Sequence, residues 1–141
     1  MRILLDTHCW LWSYFEPEKL NSRAVTILED LDHEILFSIA SSWEIAIKYQ
    51  IGKLPGLPDV PARFLPPQLA ADRIAILPIK HSHVLMVATI PRHHYDPFNH
   101  LLIAQALTEG LTLMTADERL LQYDVKILWA GRQKPRDRKK K

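Results

Sequence analysis

The sequence predicts an α/β domain built on a mostly parallel sheet of about five strands. Three observations carry this. Five short apolar runs, RILLD (2–6), EILFS (34–38), RIAILPI (73–79), LTLMT (111–115) and VKILW (125–129), have the length and the β-branched content of buried strands. Segments with helical start and stop signals lie between them, and strands joined through helices pair in parallel with both sheet faces covered. The chain has 141 residues, 48% of them hydrophobic and 24% charged, which suits one ordinary core and excludes a disordered polyelectrolyte.

Each connecting element has a local reason. THCWLWSYF (7–15) is apolar at 9, 10, 11, 12, 14 and 15, which reads as a short buried helix ended by Glu16-Pro17. Asn21 or Ser22 can cap a helix reaching about Leu31, with Ala24, Val25, Ile27, Leu28 and Leu31 on its inner face. After the second strand, Ser41 starts SSWEIAIKYQIGKL, where Trp43, Ile47 and Ile51 share a face. The stretch 54–67 holds five of the ten prolines and is expected to be a loop with at most a short helix around 61–71. HSHVLMVATI (81–90) reads as a helix stopped by Pro91. Asp96-Pro97 opens the clearest helix, because Asp is a favoured N-cap, Pro suits the first helical position and Gly110 sits just past the end. Asp117 can cap the short helix ERLLQY before the last strand.

Composition narrows the function classes. A single cysteine, Cys9, excludes an internal disulfide framework and a cysteine-based zinc site, and fits a reducing cytoplasm. No apolar run approaches the roughly 20 residues that span a bilayer, and the N-terminus lacks the pattern of a signal peptide. The net charge of +2 hides an asymmetry. Residues 132–141 carry seven Lys/Arg and one Asp, whereas residues 1–131 carry 11 Lys/Arg and 15 Asp/Glu. The expected organisation is therefore one acidic domain over 1–131 and a basic tail over 132–141. Such a tail adds phosphate affinity through counterion release, or is a plain solvated terminus. Seven histidines invite zinc, but His81/His83 and His93/His94 have the wrong spacing for one helical face and no H-E-x-x-H occurs. Trp10, Trp12, Trp43 and Trp129 are core residues by default, although Trp10 and Trp12 cannot both face one side of a helix.

Four acids stand where an α/β sheet gathers its ligands, beyond the carboxyl ends of the strands. Asp6 closes the first strand, Asp117 follows the fourth, and Glu44 and Asp96 open helices. Carboxylates converging from four segments repel one another without a cation, and hard divalent cations take oxygen ligands. Each acid also has a structural reading. Ser41-Ser42-Trp43-Glu44 matches a capping box, Asp96 and Asp117 are good N-caps, and Asp6 could simply end a strand.

ILLDTHCWLW, SSWEIAIKYQIGKL, HHYDPFNHLLIAQA, LMTADERL and YDVKILW occur in this order from residue 2 to about 129. Together they resemble the PIN-domain ribonucleases, and more closely the VapC-type toxins of bacterial toxin–antitoxin pairs. The resemblance implies a PIN-like α/β/α sandwich and Mg²⁺- or Mn²⁺-dependent cleavage of RNA. It places the metal-site and catalytic acids on Asp6, Glu44, Asp96 and Asp117. It adds Thr7, Asn99 and Thr115 as auxiliary residues, the two Thr hydroxyls tuning the carboxylates. It also implies a cognate antitoxin protein and a homodimer. The family often has Asp where this chain has Asn99, which keeps an oxygen ligand but loses a charge. That departure favours an alternative, a PIN-like RNA- or partner-binding module with weak or no nuclease activity.

Overall fold

The computed structural model describes residues 1–135. Five strands, β1 (Arg2–Leu5), β2 (Glu34–Ser38), β3 (Ala75–Leu77), β4 (Thr112–Thr115) and β5 (Ile127–Trp129), form one sheet in the order β3-β2-β1-β4-β5. Every pairing is parallel. The chain winds outward from β1 to β3, then crosses to the other side of β1 and continues to β5. The direction of winding therefore reverses between β1 and β4, and this is where such sheets open a crevice at their carboxyl ends.

Strand side chains alternate between two cores, as the twofold pleat requires. Ile3, Leu5, Ile35, Phe37, Met114 and Leu128 face one core, shared with α1 (Thr7–Phe15), α2 (Ser22–Glu29) and α4 (Pro61–Ala71). Leu4, Leu36, Leu77 and Leu113 face the other, filled by Leu102, Ile103 and Ala106 of α6 (Pro97–Glu109). α3 (Ile39–Gln50) gives Ile45 to the first core and Ala40 to the second. Ile3, Leu4 and Leu5 are wholly inaccessible. Truncating any of them to Ala is of the class that costs about 2–5 kcal/mol.

Several element boundaries differ from the sequence expectation. α3 starts at Ile39, with Ser38 as N-cap: the Ser38 side chain accepts the Ala40 amide at 2.9 Å. Ser41 is thus the third helical residue, and the capping box with Glu44 does not form. The buried face of α3 is Ala40, Ser41, Glu44 and Ile45, while Trp43 is 58% exposed and packs edge-on against Phe98. α2 ends at Glu29, leaving Leu31 exposed. The 81–90 helix shortens to α5 (His81–Met86), followed by a 3-10 turn, Val87–Thr89. ERLLQ also adopts 3-10 geometry, over Glu118–Gln122.

The proline-rich stretch contains a full eleven-residue helix, α4. Pro61 suits its first turn, but Pro66 and Pro67 lie inside it and cannot donate to the preceding turn. Burial of Leu65 and Leu69 in the first core outweighs those missing bonds. The basic tail begins against the body: Arg132 Nη1 donates to the Glu18 carbonyl (3.3 Å) and Trp129 Nε1 to the Gln133 carbonyl (2.8 Å). Residues 136–141 of that tail lie outside the described residues. No helix among the described residues is long and apolar enough to cross a membrane.

Candidate functional site

The site forms where β1 and β4 end side by side. The Asp6 amide donates to the Met114 carbonyl at 2.9 Å, continuing the ladder one step past β1 and fixing Asp6 beside β4. Asp6 is 3% exposed. The Thr115 hydroxyl donates to Asp6 Oδ2 (2.7 Å) and accepts the Asp117 amide (3.0 Å), so one side chain ties the two acids together. Asp117 caps the 3-10 turn through Oδ1, which accepts the Arg119 amide at 2.9 Å. Asp96 caps α6 through its own Oδ1, which accepts the amides of Phe98 (3.0 Å) and Asn99 (3.3 Å). The Asn99 side-chain amide then reaches across to Asp117 Oδ2 at 3.3 Å.

A guanidinium joins these acids. Arg119 Nη2 stands 2.7 Å from Asp117 Oδ2 and 3.8 Å from Asp96 Oδ2, and its Nε is 3.1 Å from Asp117 Oδ1. The charges respond accordingly. Burial pushes the Asp6 carboxyl above its ordinary value, and the Thr115 hydroxyl and nearby His8 only partly draw it back. Burial also pushes Asp117 up, but the side-chain and backbone hydrogen bonds from Arg119, with its charge, outweigh this and hold Asp117 below the usual carboxylate range.

Glu44 is buried on α3 and pairs with Lys48 Nζ at 3.2 Å. Lys48 Nζ in turn lies 3.5 Å from His8 Nε2 on α1. No hydrogen bond or ion pair joins Glu44 to Asp6, Asp96 or Asp117 among the described residues. Thr7 is also buried, and its hydroxyl donates to Ser41 Oγ at 2.7 Å, which fastens α1 to α3. The site therefore unites Asp6, Asp96, Asp117, Asn99 and Thr115, with Glu44 and Thr7 on the adjoining α1–α3 flank.

One feature escaped the sequence reading. Arg119 sits two residues after Asp117, and a base that close to an N-cap acid is the signal that could have flagged it. Behind Asn99, a buried polar cluster joins His94, His100 and Tyr123. The Tyr123 hydroxyl lies 2.8 Å from His94 Nδ1 and 3.2 Å from His100 Nε2, and it accepts the backbone amides of His93 (3.1 Å) and His94 (3.3 Å). His94 Nε2 is 3.3 Å from Asn99 Nδ2. Burial, followed by the Arg119 charge, lowers the His94 imidazole below its ordinary value and favours the neutral ring. A neutral ring can accept from Asn99 while donating to Tyr123, and this orients the Asn99 amide toward Asp117.

No three or more of the described His, Cys, Asp and Glu side chains are grouped so as to hold one metal ion as they stand. The donor chemistry nevertheless fits a hard divalent cation, which needs only one or two carboxylates beside waters and substrate oxygens. Asp6 Oδ2 meets a neutral hydroxyl, and Asp117 and Asp96 already share one cationic group. A family model described as the PIN domain matches residues 3–126. The chain belongs to the PIN domain family. Over 57 residues this PIN domain is 40% identical to Ribonuclease VapC16 of Mycobacterium tuberculosis, a match spanning 40% of each chain. Two solved structures have the same fold at low identity. VapBC2 from Rickettsia felis, bound to a DNA fragment from its promoter, superposes with a TM-score of 0.68 at 13% identity, covering 92% of this chain and 99% of that one. A chain of a toxin-antitoxin complex from Klebsiella pneumoniae gives 0.59 at 12%, covering 89% and 95%.

Proposed function

We propose that this PIN domain is a metal-dependent endoribonuclease, and that it acts in the cytoplasm as the toxin of a toxin–antitoxin pair. Its partners on this reading are an RNA substrate, a cognate antitoxin protein and a second copy of itself. The observation that carries the reading is the Arg119 guanidinium shared by Asp96 and Asp117, beside Asp6, which Thr115 ties to Asp117, at the ends of β1 and β4. The similarity to a protein named a ribonuclease and to a chain from a toxin-antitoxin complex supports it.

Asp6, Asp96 and Asp117, with Glu44 from the flank, are the residues that would hold Mg²⁺ or Mn²⁺. Such an ion supplies charge neutralisation at a scissile phosphate and a more acidic water. The chain's own residues prepare the site. Thr115 fixes the Asp6 carboxylate and the backbone of Asp117 with one hydroxyl. The capping of α6 and of the 3-10 turn consumes one oxygen each of Asp96 and Asp117 and leaves the other directed at the site. RNA and DNA substrates incubated with Mg²⁺, with Mn²⁺ and with excess chelator test the reading. We expect RNA cleavage that chelation abolishes and either ion restores. Cleavage that persists in chelator overturns the metal mechanism.

One observation favours the alternative of a binding module with weak chemistry. The Asn99 amide donates to Asp117 Oδ2, a lone pair that a cation would otherwise take. Asn99→Asp removes that donor and adds a carboxylate beside Asp117. If the weak-chemistry reading is right, this variant cleaves RNA at Mg²⁺ concentrations where the wild type does not, with RNA affinity unchanged. Equal Mg²⁺ midpoints for the two proteins remove the alternative.

A further inference from the structure

We propose that Arg119 is the site's built-in counter-ion, and that a divalent cation enters by displacing its guanidinium from Asp117 and Asp96. The inference rests on the metal-dependent reading above. The Oδ1 atoms of Asp96 and Asp117 both accept backbone amides, at 3.0 Å from Phe98 and 2.9 Å from Arg119. Their Oδ2 atoms both face Arg119 Nη2, at 3.8 Å and 2.7 Å, and Asp117 Oδ2 also accepts the Asn99 side-chain amide at 3.3 Å. The charges of Asp117, Asp96 and Asp6, in that order, all favour the protonated guanidinium. One cation thus already pairs with two acids, beside Asp6, which Thr115 ties to Asp117, and an incoming ion would need the same oxygens.

The exchange needs no backbone movement. The Arg119 amide holds Asp117 Oδ1 independently of its side chain, so the cap stays formed when the guanidinium leaves. The side chain is 54% exposed, and its ion pairs are with Asp117 and Asp96 alone among the described residues. It can swing into solvent at little cost, because ion pairs this accessible are weak. A guanidinium offers only donors and is singly charged, whereas a divalent ion brings twice the charge and accepts oxygen directly. Loading is therefore a substitution of one cation by another, and Arg119 sets the metal concentration at which it occurs.

The test is Mn²⁺ binding measured by calorimetry on the full chain without RNA. It compares the wild type with Arg119→Ala, Arg119→Lys and Arg63→Ala. Arg63, on α4, is exposed and pairs with Asp59, so its removal takes the same charge from a remote place. We expect Arg119→Ala to bind Mn²⁺ about three- to tenfold more tightly than the wild type. Arg119→Lys, which keeps the charge but loses the fork, should fall between them, and Arg63→Ala should match the wild type. A wild type that shows no binding while Arg119→Ala binds also supports the exchange. Equal or weaker binding by Arg119→Ala, in a variant that melts cooperatively, overturns it. So does tightening of the same size in Arg63→Ala. Binding by none of the four proteins overturns the metal-dependent reading itself, and the exchange falls with it.

Discussion

Thr115 shows how much one hydroxyl can organise. It is wholly buried, donates to one acid and accepts the backbone of another, and so sets the distance between the ends of two strands. The acid it holds is stored at a cost. Below its ordinary value, near 3.8, Asp6 is protonated in both folded and unfolded chains and its burial carries no charge penalty. As pH rises, the unfolded chain ionises freely while the folded one resists, so stability falls through the raised folded value and the loss persists at neutral pH. Asp6→Asn keeps the shape and an acceptor for Thr115. In chelator at pH 7 it should melt at a higher temperature than the wild type, and the difference should vanish toward pH 3.8. A variant that melts lower at pH 7 would mean that the carboxylate's hydrogen bonds outweigh its desolvation.

At the scale of elements, α4 shows where local rules yield to packing. It closes with Arg73 at φ 60°, the Arg73 amide bonding to Ala70 and the Ile74 amide to Leu69, which is the two-bond ending that glycine normally serves. α6 ends in the same region at Gly110, φ 68°, without strain. Arg73 is exposed, so Arg73→Gly should relieve the strain and lose nothing else, adding about 1 kcal/mol. That corresponds to about 2–4 °C in Tm for a chain of this size, readable by thermal melting; no gain would mean the arginine is at ease there. The helix expected around 61–71 forms over Pro61–Ala71 in spite of its prolines, and the buried pair Leu65 and Leu69 explains why it survives. The α6 boundaries were legible because Asp96, Pro97 and Gly110 act locally. The start of α3 was not. Ser38, inside an apparent strand, and Ser41 are both plausible caps, and strand pairing through Ser38 decides between them. The acids Asp6, Asp96 and Asp117 could be placed at one rim from strand ends and caps. Arg119 and Tyr123 could not, because their roles depend on contacts between distant segments.

For the molecule as a whole, charge is divided between body and tail. Residues 136–141 carry five Lys/Arg and one Asp, while Arg132 and Gln133 contact the body. Removing residues 136–141 should therefore weaken RNA affinity and flatten its dependence on salt while leaving Tm unchanged. An unchanged salt slope would make the tail a bystander. The strand order has a further consequence for synthesis. β1 is made before the other four strands of the sheet, yet it is the centre of the sheet, and its β4 neighbour is more than a hundred residues downstream, with Thr115 separated from Asp6 by 109 positions. Until that segment leaves the ribosome, one edge of β1 has no partner and Asp6 stands alone. No nascent chain shorter than this can bring the acids together, so a ribosome partway through the message carries no assembled site beside the RNA it is reading.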